Sequence, residues 1–159
     1  MAPGLLALWT GISFLGDWHF VAVLAPLAAL LVYFGISQYS ALIFVGALAA
    51  SEALVFVLKI LVHKPRPLNP LITPEDPYSF PSGHSNIAVV LYGMIAFFLF
   101  KHFSGHPVAQ LCIVVSAVAL ALLIGSSRIA LQVHFPEDVL AGFSIGIVFL
   151  GVAIWLLQG

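Results

Sequence analysis

The chain has 159 residues, of which 62% are hydrophobic and 7% charged, with a mean hydropathy of +1.17. Apolar runs of helix length follow one another, so the composition predicts one integral-membrane domain over residues 1–159 rather than a soluble core. The net charge of -1, without a basic run, argues against nucleic-acid binding, which needs clustered Lys and Arg. The single cysteine, Cys112, excludes an internal disulfide and makes a thiolate metal site implausible.

The first apolar segment, residues 3–15, is too short to cross a bilayer alone and ends at Gly16 and Asp17. A span needs about 20 apolar residues, because the hydrocarbon core is about 30 Å thick and a helix rises about 1.5 Å per residue. We therefore expect a short interfacial or half-inserted helix here. The segment lacks the basic region and the cleavage pattern of a secretory signal, and we expect it to stay in the mature fold.

Five longer apolar segments satisfy the length requirement. They lie at residues 18–35, 41–62, 83–101, 108–127 and 136–158. The sequence therefore predicts an all-α integral membrane protein, a bundle of about five transmembrane helices preceded by the short helix. Pro26 is expected to kink its helix. Close helix packing is expected at Gly46, Gly93, Gly142 and Gly146.

The connection at residues 63–82 contains six prolines and cannot be helical throughout, because each proline removes a donor and restricts its predecessor. Alternating the spans through the bilayer places residues 17–18, 63–82 and 128–135 on one face. The other face receives residues 36–40, residues 102–107 and the C-terminus. Ionisable groups at membrane depth are costly, and most of them fall on the first face. One functional site is therefore predicted there.

The motif Pro81-Ser82-Gly83-His84 begins the third span. Ser82 is a good helix N-cap, and Gly83 permits close approach to the backbone, so the first helical turn presents amide N–H groups to a phosphate oxygen. An ordinary capped helix start explains the same residues. The motif by itself does not decide between the two.

His134 and Asp138 lie on either side of Pro136, a favoured first residue of a helix. With His134 just before the helix, Asp138 can accept from one imidazole nitrogen and leave the other basic, as a nucleophile or a base requires. The alternative is that Glu137 and Asp138 only complement the positive end of the helix.

Three cations, Lys59, Arg66 and Arg128, accompany these motifs. Arginine binds phosphate oxygens bidentately, and lysine acts as a point charge. Each has an ordinary alternative, such as snorkelling of Lys59 from its helix end or interfacial anchoring by Arg128. Their coincidence with two histidines and a capped helix start favours a phosphate site.

Together, the three motifs resemble the complete signature of the type 2 phosphatidic acid phosphatase family. The spacings are Lys59-x6-Arg66-Pro67, Pro81-Ser82-Gly83-His84 and Ser127-Arg128-x5-His134-x3-Asp138. They are unbroken at every signature position, and the resemblance covers residues 59–138. The combination is specific, whereas the flanking helices agree only in general character.

This resemblance implies a membrane lipid phosphatase that works through a phosphoenzyme. His134 would attack phosphorus in line with support from Asp138, and His84 would protonate the leaving group and then activate water. The phosphate oxygens would be held by Lys59, Arg66, Ser82, Gly83 and Arg128. The family requires no metal or other cofactor, and the implied partners are a lipid phosphate substrate and the bilayer.

The implied substrates are phosphatidic acid, phosphatidylglycerophosphate, polyprenyl diphosphates and lipid A phosphates, and the sequence does not choose among them. The resemblance favours a bacterial inner (cytoplasmic) membrane with the site facing outward, although Lys64 and Lys101 leave the positive-inside count tied. A transporter or channel for an anionic amphiphile is the alternative, because intramembrane charges also mark permeation paths. A vanadate-dependent haloperoxidase shares the phosphate-binding arrangement, but the hydrophobic spans disfavour it.

A few polar residues lie outside the signature. Glu52 is inside the second span, about 10 Å deeper than the cations, and either makes a structural hydrogen bond or lines a lipid entrance. His63 and Lys64 either contact a headgroup or are solvated. His102 and His106 have metal-ligand spacing but fall on the opposite face, and we do not expect them to bind a metal.

Overall fold

The computed structural model describes residues 1–74 and 76–158, and its regular elements are six α-helices. In chain order they are α1 (Pro3–Phe14), α2 (Trp18–Gly35), α3 (Gln38–Val62), α4 (Gly83–His102), α5 (Pro107–Ala130) and α6 (Pro136–Leu156). Five stretches are long and apolar enough to cross a membrane: Pro3–Gly35, which joins α1 and α2, and each of the four later helices. The predicted all-α membrane fold is confirmed.

The helices begin where the sequence supplies caps. Asp17 and Ser37 accept hydrogen bonds from amides in the first turns of α2 and α3, at 2.8 Å and 3.0 Å. Pro136 is the first residue of α6, as expected. The main departure is that α5 continues to Ala130, so Arg128 lies in its last turn and is held by a rigid helix rather than by a loop.

The N-terminal helix α1 packs against α5 and is joined to α2 by a tight turn at residues 15–17. Ser13, near the end of α1, is buried. The next helix, α2, is continuous through Pro26, where a kink stays a prediction. Where α1 lies relative to the bilayer also stays a prediction.

The central element is α4, which packs against α3, α5 and α6. Half of its apolar span is buried, whereas at most 22% of any other span is. Leu91 and Met94 of α4 are fully buried and pack with Phe44 of α3 and Ala153 of α6. The outward faces are apolar, and Phe34 for example is 80% exposed. Such a surface suits hydrocarbon rather than water.

Close contact joins the first turns of α4 and α6. A Cβ on Gly142 would overlap the carbonyl oxygen of Ser82 and would lie 2.9 Å from Cβ of Ser85. The Ser82 amide donates to the Asp138 carbonyl at 3.0 Å. The absence of a side chain at Gly142 therefore sets how closely the PSGH turn approaches the Asp138 turn.

Three of the four glycines predicted to support packing do so. Gly93 and Gly146, like Gly142, face atoms of a neighbouring helix that a Cβ would contact too closely. The prediction for Gly46 is wrong, because no atom lies within 4 Å of the position its Cβ would take. A glycine in an apolar span permits a close neighbour but does not supply one.

The proline-rich connection, residues 63–82, lies over the end of the bundle where α3 ends and α4 begins. Its described residues contain no helix, which agrees with the prediction that the connection is not helical throughout. The Ser79 amide donates to the Lys64 carbonyl at 2.9 Å, and the Leu71 amide donates to the Leu131 carbonyl at 3.0 Å. The second bond ties this connection to the turn between α5 and α6.

We expect Gly142→Ala to lower the free energy of unfolding by about 1–3 kcal/mol, because the added methyl group overpacks the α4–α6 contact. Gly46→Ala is the matched control, since the same methyl group enters open space and alanine is the better helix former. Thermal unfolding of the purified protein in detergent measures both. Equal midpoints for the two variants would contradict the packing analysis.

Candidate active site

A polar pocket of about 180 Å³ lies where the ends of α3 and α5 meet the start of α4. The connection at residues 63–82 and the turn between α5 and α6 also contribute to it. Six of the eight predicted site residues line it: Lys59, Arg66, Gly83, His84, Arg128 and His134. Ser82 and Asp138 are fully buried behind the pocket wall. The three sequence motifs therefore come together around one cavity.

His134 lies between a carboxylate and a guanidinium. Its Nε2 accepts a hydrogen bond from Arg66 Nη1 at 3.2 Å, and its Nδ1 lies 3.7 Å from Oδ2 of Asp138. Because a guanidinium can only donate, the Arg66 contact requires the tautomer with the proton on Nδ1. The lone pair then resides on Nε2, which is the arrangement that a nucleophile needs. At 3.7 Å the pair with Asp138 is longer than a hydrogen bond.

The hydrogen bonds to the Asp138 carboxylate come from groups other than His134. Its Oδ2 accepts from the Phe135 amide at 2.9 Å, and its Oδ1 accepts from Lys64 Nζ at 2.6 Å. Lys64 also donates to Oε1 of Glu137 at 2.8 Å. The capping alternative and the histidine-orienting alternative for Asp138 are therefore compatible. Lys64 is a charged partner of Asp138 that the sequence motifs did not identify.

A second unpredicted residue, Asp76, pairs with two of the cations. Lys59 Nζ donates to both carboxylate oxygens, at 3.1 Å and 3.2 Å, and Arg66 Nη2 lies 3.1 Å from Oδ1. Lys59 also donates to the Tyr78 carbonyl at 3.0 Å, and Arg66 Nε donates to the Asp76 carbonyl at 2.8 Å. The proline-rich connection thus fixes the directions of both cations.

Arg128 forms a hydrogen bond with a residue of the N-terminal helix, α1. Its Nη1 donates to Ser13 Oγ at 2.5 Å, and both residues are buried. The two positions are 115 residues apart in the chain, so no local pattern links them. Through Ser13, α1 therefore supplies a hydrogen-bond acceptor for Arg128.

The PSGH turn has the geometry of a capped helix start. Ser82 Oγ accepts from the Ser85 amide at 3.4 Å and from the Ser85 hydroxyl at 3.0 Å. Gly83 lines the pocket, whereas Ser82 is not among the described residues that do. A direct contact between Ser82 and phosphate stays a prediction, and the Gly83 backbone is the better-placed part of the motif.

Glu52 makes the structural hydrogen bond that the sequence suggested. Its Oε1 accepts from Asn86 Nδ2 at 2.6 Å, and the same amide group donates to Ser51 Oγ at 2.9 Å. Asn86 and Ser51 are fully buried between α3 and α4. Glu52 also lines the polar pocket, so it is both a structural residue and part of the pocket wall.

An apolar groove of about 950 Å³ runs between α2 and α3 and ends next to the polar pocket. Trp18, Glu52 and Ile87 line both the groove and the polar pocket. Leu42, farther along the groove, is 68% exposed, so the groove is open at the outer surface of the bundle. The polar pocket therefore lies next to a long apolar groove.

Two pKa shifts describe the charge state of the pocket. Burial lowers the pKa of His134 to about 4; the Asp138 carboxylate opposes this, and the neighbouring cations reinforce it. Burial would raise the pKa of Asp76, but the Lys59 and Arg66 charges outweigh it and lower this pKa below its ordinary value. Near neutral pH, His134 is uncharged and Asp76 is ionised.

Metal binding has no evident place in the described residues. Across residues 1–74 and 76–158, no group of three or more His, Cys, Asp or Glu side chains is arranged to hold an ion. His102 and His106 lie at the turn between α4 and α5, outside the pocket.

Comparison with known proteins gives one family. The family model of the PAP2 superfamily matches residues 40–159. Phosphatidylglycerophosphatase B of Bacillus subtilis strain 168 is 34% identical over 145 residues, which cover 91% of this chain and 71% of that protein.

Two solved structures are similar over nearly the whole chain. The crystal structure of a transmembrane PAP2-type phosphatidylglycerolphosphate phosphatase from Bacillus subtilis superposes with a TM-score of 0.91 at 32% identity, covering 99% of this chain and 79% of that one. Aquifex aeolicus LpxE gives a TM-score of 0.72 at 28% identity, covering 97% of this chain and 87% of that one.

Ser13→Ala is expected to lower kcat/KM for a phosphate ester by about 10- to 100-fold, because a hydrogen bond from a buried charged group is worth about 1.5–3 kcal/mol. Thr10→Ala is the control, since Thr10 Oγ1 donates only to the Leu6 carbonyl of its own helix. Steady-state kinetics on both variants test the contribution. Wild-type kinetics for Ser13→Ala would exclude α1 as a support for Arg128.

Proposed function

Because the chain belongs to the PAP2 superfamily and is a membrane lipid phosphatase, we propose that it hydrolyses a lipid phosphomonoester or diphosphate headgroup through a phosphohistidine. The observation that carries this proposal is that the polar pocket and the apolar groove are adjacent and share three lining residues. A phosphate at His134 and an acyl or prenyl chain between α2 and α3 would occupy these two neighbouring cavities. That shape favours an amphiphile over a soluble sugar phosphate.

Phosphatidylglycerophosphate is the first substrate to test, because the Bacillus relatives are named as phosphatases of that lipid. Phosphatidic acid, polyprenyl diphosphates and lipid A phosphates are the remaining candidates. The pocket volume, about 180 Å³, accommodates a phosphate group with the atoms next to it. Selection among these lipids would then depend on the groups near Glu52 and Trp18, where pocket and groove meet.

In the first step, Nε2 of His134 attacks phosphorus in line with the leaving oxygen. The P–N bond forms as the P–O bond breaks, and His84 donates its proton to the departing oxygen, which belongs to the lipid alkoxide of a phosphomonoester or to the lipid monophosphate of a diphosphate. Imidazole gains positive charge as it attacks, and the Asp138 carboxylate beside Nδ1 stabilises that charge. The products of this step are the lipid alcohol, or lipid monophosphate, and phosphohistidine.

In the second step, a water molecule attacks phosphorus and the P–N bond breaks. The now neutral His84 accepts the proton of the water, which returns it to its starting protonation state. Inorganic phosphate leaves the pocket, and Nε2 of His134 regains its lone pair.

The cations act by position and charge. Phosphoryl transfer depends mainly on holding the group in line and stabilising the charge on its equatorial oxygens. Lys59, Arg66 and Arg128 converge on the pocket, and the Gly83 backbone faces them across it. Asp76 already occupies donors of Lys59 and Arg66, so these donors must be shared between Asp76 and a bound phosphate.

We place the protein in a bacterial inner membrane with the pocket facing outward. The similarity to two Bacillus subtilis proteins over most of the chain supports a bacterial membrane. The side of the membrane on which the pocket opens rests on the family resemblance alone, and labelling of single cysteines introduced near each end of the bundle would test it.

His134→Ala is expected to lower kcat/KM by about 1,000-fold or more, because it removes the nucleophile. His84→Ala should lose about 10²–10⁴-fold on a lipid substrate, which needs a general acid. With an aryl phosphate, whose leaving group needs no proton, His84→Ala should still form phosphohistidine but hydrolyse it slowly. Alkaline quenching and mass spectrometry of labelled peptides would then find phosphate on His134.

His106→Ala is the control for histidine removal, since His106 lies outside the pocket. Undiminished turnover by His134→Ala would exclude the nucleophile assignment. Failure of the parent protein to hydrolyse any of the four lipid classes would refute the proposed substrate range.

The lowered pKa of His134 predicts the acidic side of the pH profile. Attack needs neutral imidazole, and a pKa of about 4 keeps His134 neutral from about pH 5 upward, whereas an ordinary histidine is half protonated near 6.5. Because His84 must be protonated to act as the acid, the rate also falls as the pH rises further, so a bell-shaped profile is expected. NMR titration of labelled histidines, with His134 assigned from His134→Asn, should give a midpoint near 4, and a midpoint near 6.5 would contradict the analysis.

A further inference from the structure

We propose that Lys64 is a positioning residue for the nucleophile, acting through Asp138 on His134. This proposal rests on the proposed function, in which His134 attacks phosphorus. It assigns a role to a lysine that lies between the first two signature positions but is not part of the signature.

The first observation is the contact itself. Lys64 Nζ lies 2.6 Å from Oδ1 of Asp138, which is shorter than the bond from the Phe135 amide, at 2.9 Å, and the contact with His134, at 3.7 Å. The Asp138 side chain is fully buried, whereas that of Lys64 is 24% exposed. A buried carboxylate without a partner is strongly destabilising. Lys64 is the cation that compensates this one.

The second observation is that Lys64 is fixed. Its carbonyl accepts from the Ser79 amide at 2.9 Å, and its ammonium lies 4.6 Å from the centroid of the Phe135 ring. It also bonds to Glu137 at 2.8 Å. These contacts hold the ammonium group at Oδ1, whereas His134 approaches the other carboxylate oxygen, Oδ2.

The third observation separates Lys64 from the phosphate-binding cations. Lys59, Arg66 and Arg128 line the polar pocket, and Lys64 is not among the described residues that do. Its effect on the reaction must therefore pass through Asp138 rather than through contact with substrate. A cation that only orients the nucleophile changes kcat and leaves KM nearly unchanged.

Because Lys64 binds one oxygen of the Asp138 carboxylate, the two oxygens have different partners. Oδ1 is held by Lys64, which leaves Oδ2 to accept from the Phe135 amide and to face Nδ1 of His134 at 3.7 Å. The imidazole ring is oriented, and its proton stays on Nδ1. Loss of the ammonium would free the carboxylate to pair more tightly with His134 and favour the imidazolium, which cannot attack.

Other charged groups also face His134 and contribute to its titration. They are Asp138 on α6, Arg66 in the 63–82 connection, Lys59 on α3, Arg128 on α5 and His84 on α4. All of them are unchanged in a Lys64 variant. A difference between such a variant and the parent therefore reports on Lys64 alone, and the ionisation of the substrate cancels in the same comparison.

The experiment compares Lys64→Met, Lys64→Arg and Glu137→Gln with the parent on one lipid phosphate across pH 4–9. Lys64→Met is expected to lose about 10- to 100-fold in kcat, as for removal of a charge-assisted hydrogen bond, with KM within about twofold. The acidic limb of its kcat–pH profile, where kcat falls because His134 becomes protonated, should move to higher pH. Lys64→Arg should restore most of kcat and the original limb.

Glu137→Gln is the matched control, because it removes the outer, 63% exposed partner of Lys64 and should leave kcat and the limb unchanged. Two results would overturn the proposal. One is a raised KM with unchanged kcat for Lys64→Met, which would mean headgroup contact. The other is a loss of kcat without movement of the acidic limb, which would mean a structural role only.

A double variant keeps the test valid if Lys64→Met does not fold. Lys64→Met combined with Asp138→Asn removes the buried charge together with its partner, and its kcat should equal that of Asp138→Asn alone. A further loss in the double variant would overturn the proposal. If the parent itself hydrolyses no lipid phosphate, the proposed function fails instead, which is a distinct outcome.

Discussion

The contact between the first turns of α4 and α6 is the constraint on which the site depends. Gly142 lets the two turns meet, and the bond from the Ser82 amide to the Asp138 carbonyl holds them in register. One turn carries Gly83 and His84, and the other carries the carboxylate beside His134. A helix packing distance therefore sets the separation between the general acid and the nucleophile proposed here.

Around this contact, each cation is held by an oxygen acceptor before any phosphate arrives. Asp76 orients Lys59 and Arg66, and Ser13 orients Arg128. Charges at a membrane boundary are costly to bring together, and fixed acceptors offset that cost. The same fixed donors need little reorganisation when charge develops on a phosphate, which is the main source of stabilisation in such sites.

Much of this arrangement could be predicted from the sequence, because it depends on local signals. Span length, caps and proline positions located five helices to within a few residues at most ends. Motif spacing identified eight site residues, and six of them line one pocket. Lys64, Asp76 and Ser13 could not be assigned in this way. Lys64 meets Asp138 across 74 residues and Ser13 meets its arginine across 115, and both contacts exist only in the folded chain. The packing prediction for Gly46 failed for the same reason, because only the folded structure determines whether another helix lies next to it.

The groove between α2 and α3 has a consequence for how substrate reaches the enzyme. Because it opens on the apolar outer surface, the proposed lipid substrate would enter it by diffusing sideways within its own leaflet. The concentration that governs the encounter is then the number of substrate molecules per unit area of membrane, rather than per unit volume of solution. An inert lipid added to the bilayer would slow the enzyme as effectively as removal of substrate.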